Sequence, residues 1–434
     1  MASHANTKDW PGGQVVLSNV AVPTDLVGAP ERFGGTADGD LLRGDLLVSD
    51  GKAEALLAPG TAPSDVSSVD CGGAIVLPGL VEAHCHLDKC HTGHRLRFPG
   101  GDLLAAIEAQ NADKANWTAA DLRTRTGRGL AELRAAGCRA VRTHVDWPHD
   151  PAESRTPPPA WVVMGDLAEE LAGQIELQRA ALVSLDLYGD EAAGEALARR
   201  VAQDGGVLGA FVLHHADRQA RLERVFDLAE RFGLPLDFHV DEGLDPGLDG
   251  LETIAAIVAE RGYQGPVACG HALSLATMDG DRLRRSLDLI ARANLSIISL
   301  PATNLYLQDR RQGTPMARGM TRLRELRSAG ICVAVGSDNV CDAFCPVGRH
   351  DPLHALSLAA LSAHLDAPHG PWLRSVTTDA ARAIGIEPIL VDRARMSDLL
   401  ISSASSTSEL VAGLPGAPVG LSGWLDGRAM PSAR

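Results

Sequence analysis

The sequence predicts an α/β fold, a (β/α)8 TIM barrel joined to a small β-sandwich that both ends of the chain build. From residue 74 onward, apolar runs of about five to eight residues alternate with longer helical segments, which is typical of parallel strands with helical crossovers. About eight such alternations indicate a closed barrel rather than an open sheet. Short apolar runs separated by Gly, Pro, Asp and Ser occupy both ends, a pattern typical of small β units. We therefore predict sandwich segments at residues 1–73 and 389–434, and the barrel at 74–388.

The strands of the predicted sandwich are short. The N-terminal segment contains VVLSNVAV (15–22), LLRGDLLVS (41–49) and AEALLA (53–58), and the C-terminal segment contains SDLLIS (397–402) and GLSGWLDGRAM (420–430). The N-terminal segment carries no residues that suggest chemistry, so the function is expected in the barrel.

The predicted barrel strands are apolar runs at 81–86, 139–145, 178–184, 207–213, 234–240, 267–271, 295–300 and 331–336. Helical patterns lie between them, for example at 119–136, 218–232, 251–261 and 320–329, the last ended by Gly330. No GxGxxG or GxxxxGK[ST] motif follows any of these strands, so a nucleotide cofactor is not expected.

Composition restricts the partners. The formal charge of −15 argues against nucleic acid or an anionic membrane, since either requires a basic surface. No apolar run of about 18 residues is present, and residues 1–14 lack the apolar region of a secretory signal. The eight cysteines show no paired spacing, which favours reduced thiols in a cytoplasmic protein.

A histidine pair stands out in the stretch LPGLVEAHCHLDKCHTGHR (77–95). Side chains alternate along a strand, so His84 and His86 fall on one face, about 6 to 7 Å apart along the chain. Two neutral imidazoles at this spacing can share Zn²⁺, Fe²⁺ or a similar ion. Taken alone, the pair is about as consistent with hydrogen bonds to loop carbonyls as with a metal site.

Other polar residues end other predicted strands. His239 lies at the end of the fifth run, His271 ends the sixth and Asp338 follows the eighth. Because the carboxyl ends of barrel strands share one rim, we expect these side chains to meet His84 and His86 there. Individually, each histidine could be structural and Asp338 could cap a helix. Together they predict a metal site.

Glu242 follows His239 by three residues, just beyond the strand end. A carboxylate in this position can accept a proton from water at the metal, although a glutamate in a loop is usually only a solvated charge. His144 and Asp146 end the second strand, and they either line the same rim or make structural hydrogen bonds. The pair His214 and His215 has the same two interpretations.

Six motifs in order resemble the cytosine deaminase branch of the amidohydrolase superfamily, and the resemblance extends to N-isopropylammelide aminohydrolase. They are LPGLVEAHCHLDK, RTHVD, FHVDE, GH at 270–271, NLYLQDRRQGTPMARGMTRLREL and VGSDNVCDAFCPVG, and the similarity covers about residues 74–390. The resemblance implies a distorted (β/α)8 barrel with a sandwich from both termini and one Zn²⁺ or Fe²⁺, with Mn²⁺ as an alternative. It further implies that the metal ligands are His84, His86, His239 and Asp338, that Glu242 is the proton shuttle and that His271 orients water and substrate.

The lysines favour a single metal. Related hydrolases with two metals bridge them through a carbamylated lysine at the end of the fourth strand. This chain has only Lys8, Lys52, Lys89 and Lys114. None lies beyond position 114, so the bridge cannot be built.

Two positions depart from the family pattern. The PQEG segment of the deaminases, whose glutamine binds the pyrimidine, is replaced by residues 183–186, which place Ser184 and Asp186 there. Asn339 stands where cytosine deaminases tend to have a second Asp, as in the N-isopropylammelide hydrolase type. Phe344 occupies the place of an aromatic residue that stacks on a flat ring. We therefore predict a heterocyclic substrate other than cytosine, bound by these four residues.

These observations predict a metal-dependent hydrolase of C–N bonds other than peptide bonds. The expected reaction is deamination of a cyclic amidine with release of ammonia, in which Glu242, His271 and Asp338 are catalytic. One alternative is removal of an N-alkyl amine from a triazine- or pyrimidine-like ring or opening of its ring amide. A more remote one is an inactive homologue that binds a metabolite. The expected partner is a small heterocycle, and assembly as a homo-oligomer is left open.

Overall fold

The computed structural model describes residues 13–96, 101–310, 313–317 and 319–427. The strands are β1 (Gln14–Pro23), β2 (Thr36–Asp38), β3 (Leu41–Ser49), β4 (Lys52–Leu57), β5 (Ser67–Asp70), β6 (Ile75–Pro78), β7 (Leu80–Cys85), β8 (Cys138–Asp146), β9 (Glu176–Leu182), β10 (Leu208–Val212), β11 (Leu236–Val240), β12 (Val267–His271), β13 (Ser296–Ser299), β14 (Cys332–Val335), β15 (Leu399–Ser402) and β16 (Val419–Gly420). The helices are α1 (Pro30–Phe33), α2 (Leu103–Asp113), α3 (Ala119–Ala135), α4 (Pro159–Glu170), α5 (Glu191–Gln203), α6 (Arg218–Phe232), α7 (Gly250–Arg261), α8 (Gly280–Arg292), α9 (Pro301–Leu307), α10 (Leu323–Ser328), α11 (Pro352–Ala363), α12 (Gly370–Leu373), α13 (Thr378–Ala383), α14 (Thr407–Val411) and α15 (Leu421–Gly427).

Parallel strands form the central part of the fold. Strands β7 to β9 make a three-stranded sheet and β10 to β14 a five-stranded sheet, with neighbours parallel throughout. Isolated parallel bridges join the β9 and β10 segments, at Ala180–Val207 and at Ser184–Phe211, and another joins Cys85 of β7 to Asp338 in the loop after β14. The strands thus follow one another around a barrel, and each of the predicted barrel strands overlaps an observed one.

Burial explains why these segments read as continuous apolar runs. Every residue of β7 and β11 is buried, because in this fold helices cover the outside of the barrel and side chains fill the inside. The carboxyl ends of all the barrel strands point to one rim, which brings together residues that are far apart in sequence.

Strands from both chain ends pair in one further sheet. Its order is β16-β15-β6-β1-β3-β2, with β4 paired to β3 and β5 paired to β1. C-terminal β15 lies antiparallel to β6, so this sheet extends to Pro78 and the first barrel strand begins at Leu80. The two packed layers of a sandwich and the domain ranges given above stay predictions.

One predicted strand was wrong. Within 420–430, only Gly420 belongs to a strand, and residues 421–427 form α15; residues 428–430 lie outside the described part. Leu421 and Leu425 are both buried, and their spacing of four residues places them on one helical face. The helix expected at 320–329 is also shorter, since α10 spans Leu323–Ser328.

A small apolar cluster lies apart from the main core. It contains Ala106 of α2, Leu307 of α9, and Ala343 and Phe344 of the loop after β14. All eight cysteines fall in the described residues and are free thiols. Within the described ranges, no helix combines the length and apolar character needed to cross a bilayer.

Candidate metal centre

Three imidazoles converge at the rim of the barrel. His84 lies in β7, His86 directly follows that strand, and His239 lies in β11. The Nε2 of His239 is 3.1 Å from the Nε2 of His84 and 3.0 Å from the Nε2 of His86. Burial lowers the pKa of all three histidines well below the usual value, so the rings are neutral. A single hydrogen on the Nε2 of His239 can satisfy only one of the two contacts.

Asp338 completes the group. Its Oδ1 lies 3.2 Å from the Nε2 of His86 and 3.6 Å from the Nε2 of His84. The carboxylate is buried, and neither oxygen has a well-formed hydrogen bond with the described residues. Burial raises the pKa of Asp338, although the electrostatic attraction of His271 acts in the opposite direction. Nitrogen and oxygen atoms that converge at separations of about 3 Å fit a divalent ion held at about 2.0 to 2.2 Å.

The structure places a His-rich cluster that could hold an ion at the rim, and in the described residues His144 also belongs to it. The centre of its ring is 4.0 Å from that of His84. Its Nε2, however, lies 3.1 Å from Oδ1 of Asp237, whose Oδ2 accepts a hydrogen bond from Arg142. This contact favours His144 as a neighbour that positions the cluster.

Glu242 and His271 lie beside the cluster. The Oε2 of Glu242 is 3.5 Å from the Nε2 of His271. Burial, reinforced by Asp338, raises the pKa of Glu242 well above its usual value. Nδ1 of His271 lies 3.0 Å from Oδ1 of Asn304. The amide oxygen accepts from Nδ1–H, so the Nε2 lone pair of His271 faces Glu242.

A cavity opens onto these groups, and some of the predicted substrate residues line it. Asn339 and Phe344 do, together with His149, Gln110 and Phe211. The other lining residues are the apolar Leu103, Ile107, Leu182 and Leu213 and the polar Lys89, Asn111 and Asp146. A cavity with apolar walls and a few polar groups is typical of small-molecule sites.

Ser184 and Asp186 do not line this cavity. The Ser184 hydroxyl donates to Asp186 at 3.2 Å, while Asp186 is 60% exposed and pairs with Arg221 and His215. The Ser184 amide faces Nδ1 of His149 at 3.3 Å, so its link to the cavity is through that ring. Their predicted role in substrate binding gains no support from this arrangement.

Comparisons with known proteins agree with the motifs. Residues 204–389 match the model of the Amidohydrolase family. The chain is 37% identical to a pterin deaminase of Rhizobium rhizogenes (strain K84), over 92% of this chain and 90% of that protein. The chain belongs to the amidohydrolase family.

Solved structures agree with this assignment. A 5-methylcytosine deaminase from Klebsiella pneumoniae, liganded with phosphonocytosine, has a TM-score of 0.75 and 26% identity, covering 92% of this chain and 94% of that one. An N-isopropylammelide isopropylaminohydrolase from Burkholderia multivorans has a TM-score of 0.71 and 24% identity, covering 94% and 97%. The resemblance inferred from the sequence motifs is confirmed.

The amidohydrolase also has a buried cation at its cavity that the sequence did not single out. The Nζ of Lys89 lies 3.1 Å from Nδ1 of His86, 2.7 Å from Asp146, and 5.3 Å from the centre of the Phe344 ring. Burial opposes its charge, but Asp146 and Asp88 outweigh this and raise its pKa. Two features of the sequence could have pointed to Lys89: the chain has few lysines, and Lys89 lies in the motif that contains His84 and His86.

A second buried carboxylate, that of Glu82, holds the backbone next to the histidine cluster of the amidohydrolase. Glu82 of β7 is fully buried and accepts hydrogen bonds from the His84 amide at 3.0 Å and from the amide and hydroxyl of Ser337. Burial raises its pKa to about 7, against these hydrogen bonds. It thus joins the strand that carries His84 to the residue before Asp338.

His214 and His215 lie away from the centre. His214 is exposed and pairs with Asp245 at 2.9 Å, and His215 pairs with Asp186 at 3.1 Å. Neither lines the cavity, whereas Asp146 does.

Proposed function

We propose that this protein is a metal-dependent deaminase that hydrolyses an amino group from a flat N-heterocycle and releases ammonia, with a pterin as the preferred substrate class. The main support for this proposal is the position of Glu242. Its buried carboxylate lies 3.5 Å from the Nε2 of His271, and Glu242 lines the same cavity as His86, His239 and Asp338. The 37% identity to a pterin deaminase over nearly the whole chain supports the substrate class.

His84, His86, His239 and Asp338 would hold one divalent ion, and three imidazoles with one carboxylate suit Zn²⁺ or Fe²⁺, with Mn²⁺ as an alternative. When bound, such an ion supplies Lewis acidity that makes water a nucleophile at neutral pH. Our assignment of these four residues rests on their convergence and on the unpaired oxygens of Asp338.

Glu242 would move the proton. A buried carboxylate with a raised pKa can accept a proton from the attacking water and donate it to a ring nitrogen. His271 would position the attacking water and the substrate through its Nε2. Asn304 holds the ring in place for this, because its oxygen accepts from Nδ1–H. Asp338 would stabilise positive charge that develops beside it.

The cavity would bind the ring by stacking and by its polar edge. Phe344 and Phe211 offer aromatic surfaces. Lys89 and Gln110 offer donors to carbonyl oxygens or ring nitrogens, and Asn339 is oriented by a 2.7 Å hydrogen bond from its Nδ2 to Asp342. A donor-rich edge suits an amino-oxo heterocycle such as a pterin.

The test is an ammonia assay of the protein reconstituted with Zn²⁺, Fe²⁺ or Mn²⁺, against pterins, aminopyrimidines, aminotriazines and purines. We expect stoichiometric ammonia with pterins, and a fall in kcat of about 10³-fold or more in Glu242→Gln while metal content is retained. Release of an alkylamine or a ring-opened product would establish the alternative hydrolase. Binding of pterin without turnover under any metal would identify an inactive homologue.

A further inference from the structure

A second group of metal-ligating side chains lies outside the metal centre. It consists of His91, in the loop after β7, Glu132 of α3, and His350, in the loop before α11. The Nε2 of His91 is 3.0 Å from Oε2 of Glu132, and Nδ1 of His350 is 2.8 Å from the same oxygen. Three ligand atoms from three separate parts of the chain thus lie within 4.8 Å of one another.

The two rings have the mutual geometry of the histidine pair in the metal centre. The centres of the His91 and His350 rings are 5.5 Å apart at an interplanar angle of 69°. For His84 and His86 the values are 5.4 Å and 71°. In the second group, Oε2 of Glu132 takes the place that the Nε2 of His239 has in the first.

The groups are also in the protonation states that a metal ion requires. Burial lowers the pKa of His91 and of His350, so both are neutral near pH 7. The hydrogen bond from His350 lowers the pKa of Glu132 to about 2. Two neutral imidazoles and one carboxylate form a donor set that Zn²⁺ uses in proteins, with water as the fourth ligand.

The group is buried on the side of its two rings and exposed on the side of Glu132. His91 and His350 are 8% and 4% exposed, whereas the side chain of Glu132 is 34% exposed, which opens the group to solvent on one side. Arg128 binds the other carboxylate oxygen, Oε1, at 2.8 Å, so Oε2 stays directed at the rings. The Nε2 of His350 is buried without a hydrogen-bond partner in the described residues, and it is free to carry the ring proton when Nδ1 becomes a ligand.

We propose that His91, Glu132 and His350 form a second, structural Zn²⁺ site. The ion would fasten the loop that follows His86 to the loop that follows Asp338, with α3 as the third attachment. These loops already touch, since the His91 amide donates to Val340 at 3.0 Å and the Gly93 amide donates to Cys341 at 2.7 Å. The site would therefore fix the positions of two segments that carry cavity residues.

The test counts Zn²⁺ in protein stripped by a chelator, re-equilibrated with Zn²⁺ alone by dialysis and analysed by mass spectrometry. We expect two ions per chain in the unchanged protein, one in Glu132→Gln, one in His239→Ala, and none in the double variant. Glu195→Gln is the matched control, because Glu195 is also a helical glutamate paired with arginines and is 29% exposed, but it contacts no imidazole of the described residues. It should retain two ions.

The outcomes separate this proposal from the proposed function. One ion in the unchanged protein that is lost in His239→Ala and kept in Glu132→Gln would overturn the second site. One ion that is lost in Glu132→Gln and kept in His239→Ala would support it and reject the proposed ligand set at the rim. If Glu132→Gln does not fold, His350→Gln takes its place: one ion fewer than in the unchanged protein supports the site, and an unchanged count overturns it.

Discussion

The Nζ of Lys89 lies 2.7 Å from Oδ1 of Asp146, and both side chains line the cavity. The Nζ of Lys114 lies 2.9 Å from the other oxygen of Asp146. Burial alone would raise the pKa of this carboxylate, but the two lysines outweigh it and lower the pKa. The pair fixes a buried positive charge near the ring of Phe344. We expect such a charge to favour substrates that present a carbonyl oxygen or an anionic edge.

Replacing Lys89 by Met should remove this selection. A hydrogen bond from a charged group is worth about 1.5 to 3 kcal/mol, so we expect kcat/KM to fall by roughly 10- to 100-fold, mostly through KM. Lys114→Met is the control, because Lys114 contacts the same Asp146 but does not line the cavity. Equal losses in steady-state kinetics of the two variants would contradict a direct contact of Lys89 with substrate.

Asn304 should act as a positioning residue through His271. Asn304→Leu removes the oxygen that accepts from Nδ1–H at 3.0 Å, so the histidine loses its fixed tautomer. We expect kcat to fall by about 10- to 100-fold with a changed pH profile. Asn304→Asp keeps an acceptor and should recover part of the activity. A pH profile like that of the unchanged protein in Asn304→Leu would show a purely structural role.

Gly270 is required by the ring of His84. A Cβ at this position would lie 2.9 Å from Cε1 and 3.1 Å from Nδ1 of that ring, so Gly270→Ala should displace the imidazole and weaken metal binding by roughly tenfold or more. Gly280→Ala is the control, because a Cβ there meets no heavy atom of the described residues within 4 Å. Metal titration should distinguish the two variants, and unchanged affinity in Gly270→Ala would contradict the rigidity assumed for His84.

Asp342 should give stability a specific dependence on pH. Burial raises its pKa from 3.8 to about 7, against hydrogen bonds from Asn339 and from backbone amides. Between these values the folded state binds a proton that the unfolded state has lost, so the stability that the protonated carboxyl contributes is lost as pH rises through about 7.

Asp342→Asn lacks this titration. Its free energy of unfolding, relative to the unchanged protein, should therefore rise by on the order of 1 kcal/mol per pH unit between about pH 4 and pH 7. Chemical denaturation at several pH values measures the difference. A difference that stays constant over this range would show that Asp342 is ionised throughout.

The rim of the barrel could be predicted because it depends on strand ends. His84, His239 and Asp338 lie at the carboxyl ends of apolar runs, and parallel strands must bring those ends together whatever the intervening helices do. Glu242 followed from its distance of three residues to His239. These positions depend on the order of strands and helices, which can be predicted from the alternation of apolar runs and helical patterns in the sequence.

The cavity walls could not be predicted in the same way because they depend on side-chain direction. Gln110 reaches the cavity from α2, and His149 from the loop after β8, and no periodic signal fixes where a loop or a rim helix lies. Ser184 was placed by position after a strand, but the chain turns at Leu185, and Asp186 is drawn outward to Arg221. The C-terminal helix was missed because two leucines four residues apart also fit a short strand with turns.

The cluster of Ala106, Leu307, Ala343 and Phe344 is separate from the main core, and Leu103 and Ile107 of α2 pack on it as they line the cavity. Substitutions there should change the shape of the cavity while the barrel keeps its own packing. Selection for a new heterocycle can therefore proceed through α2 at small cost to folding, so divergence of substrate range within such enzymes should concentrate in this helix.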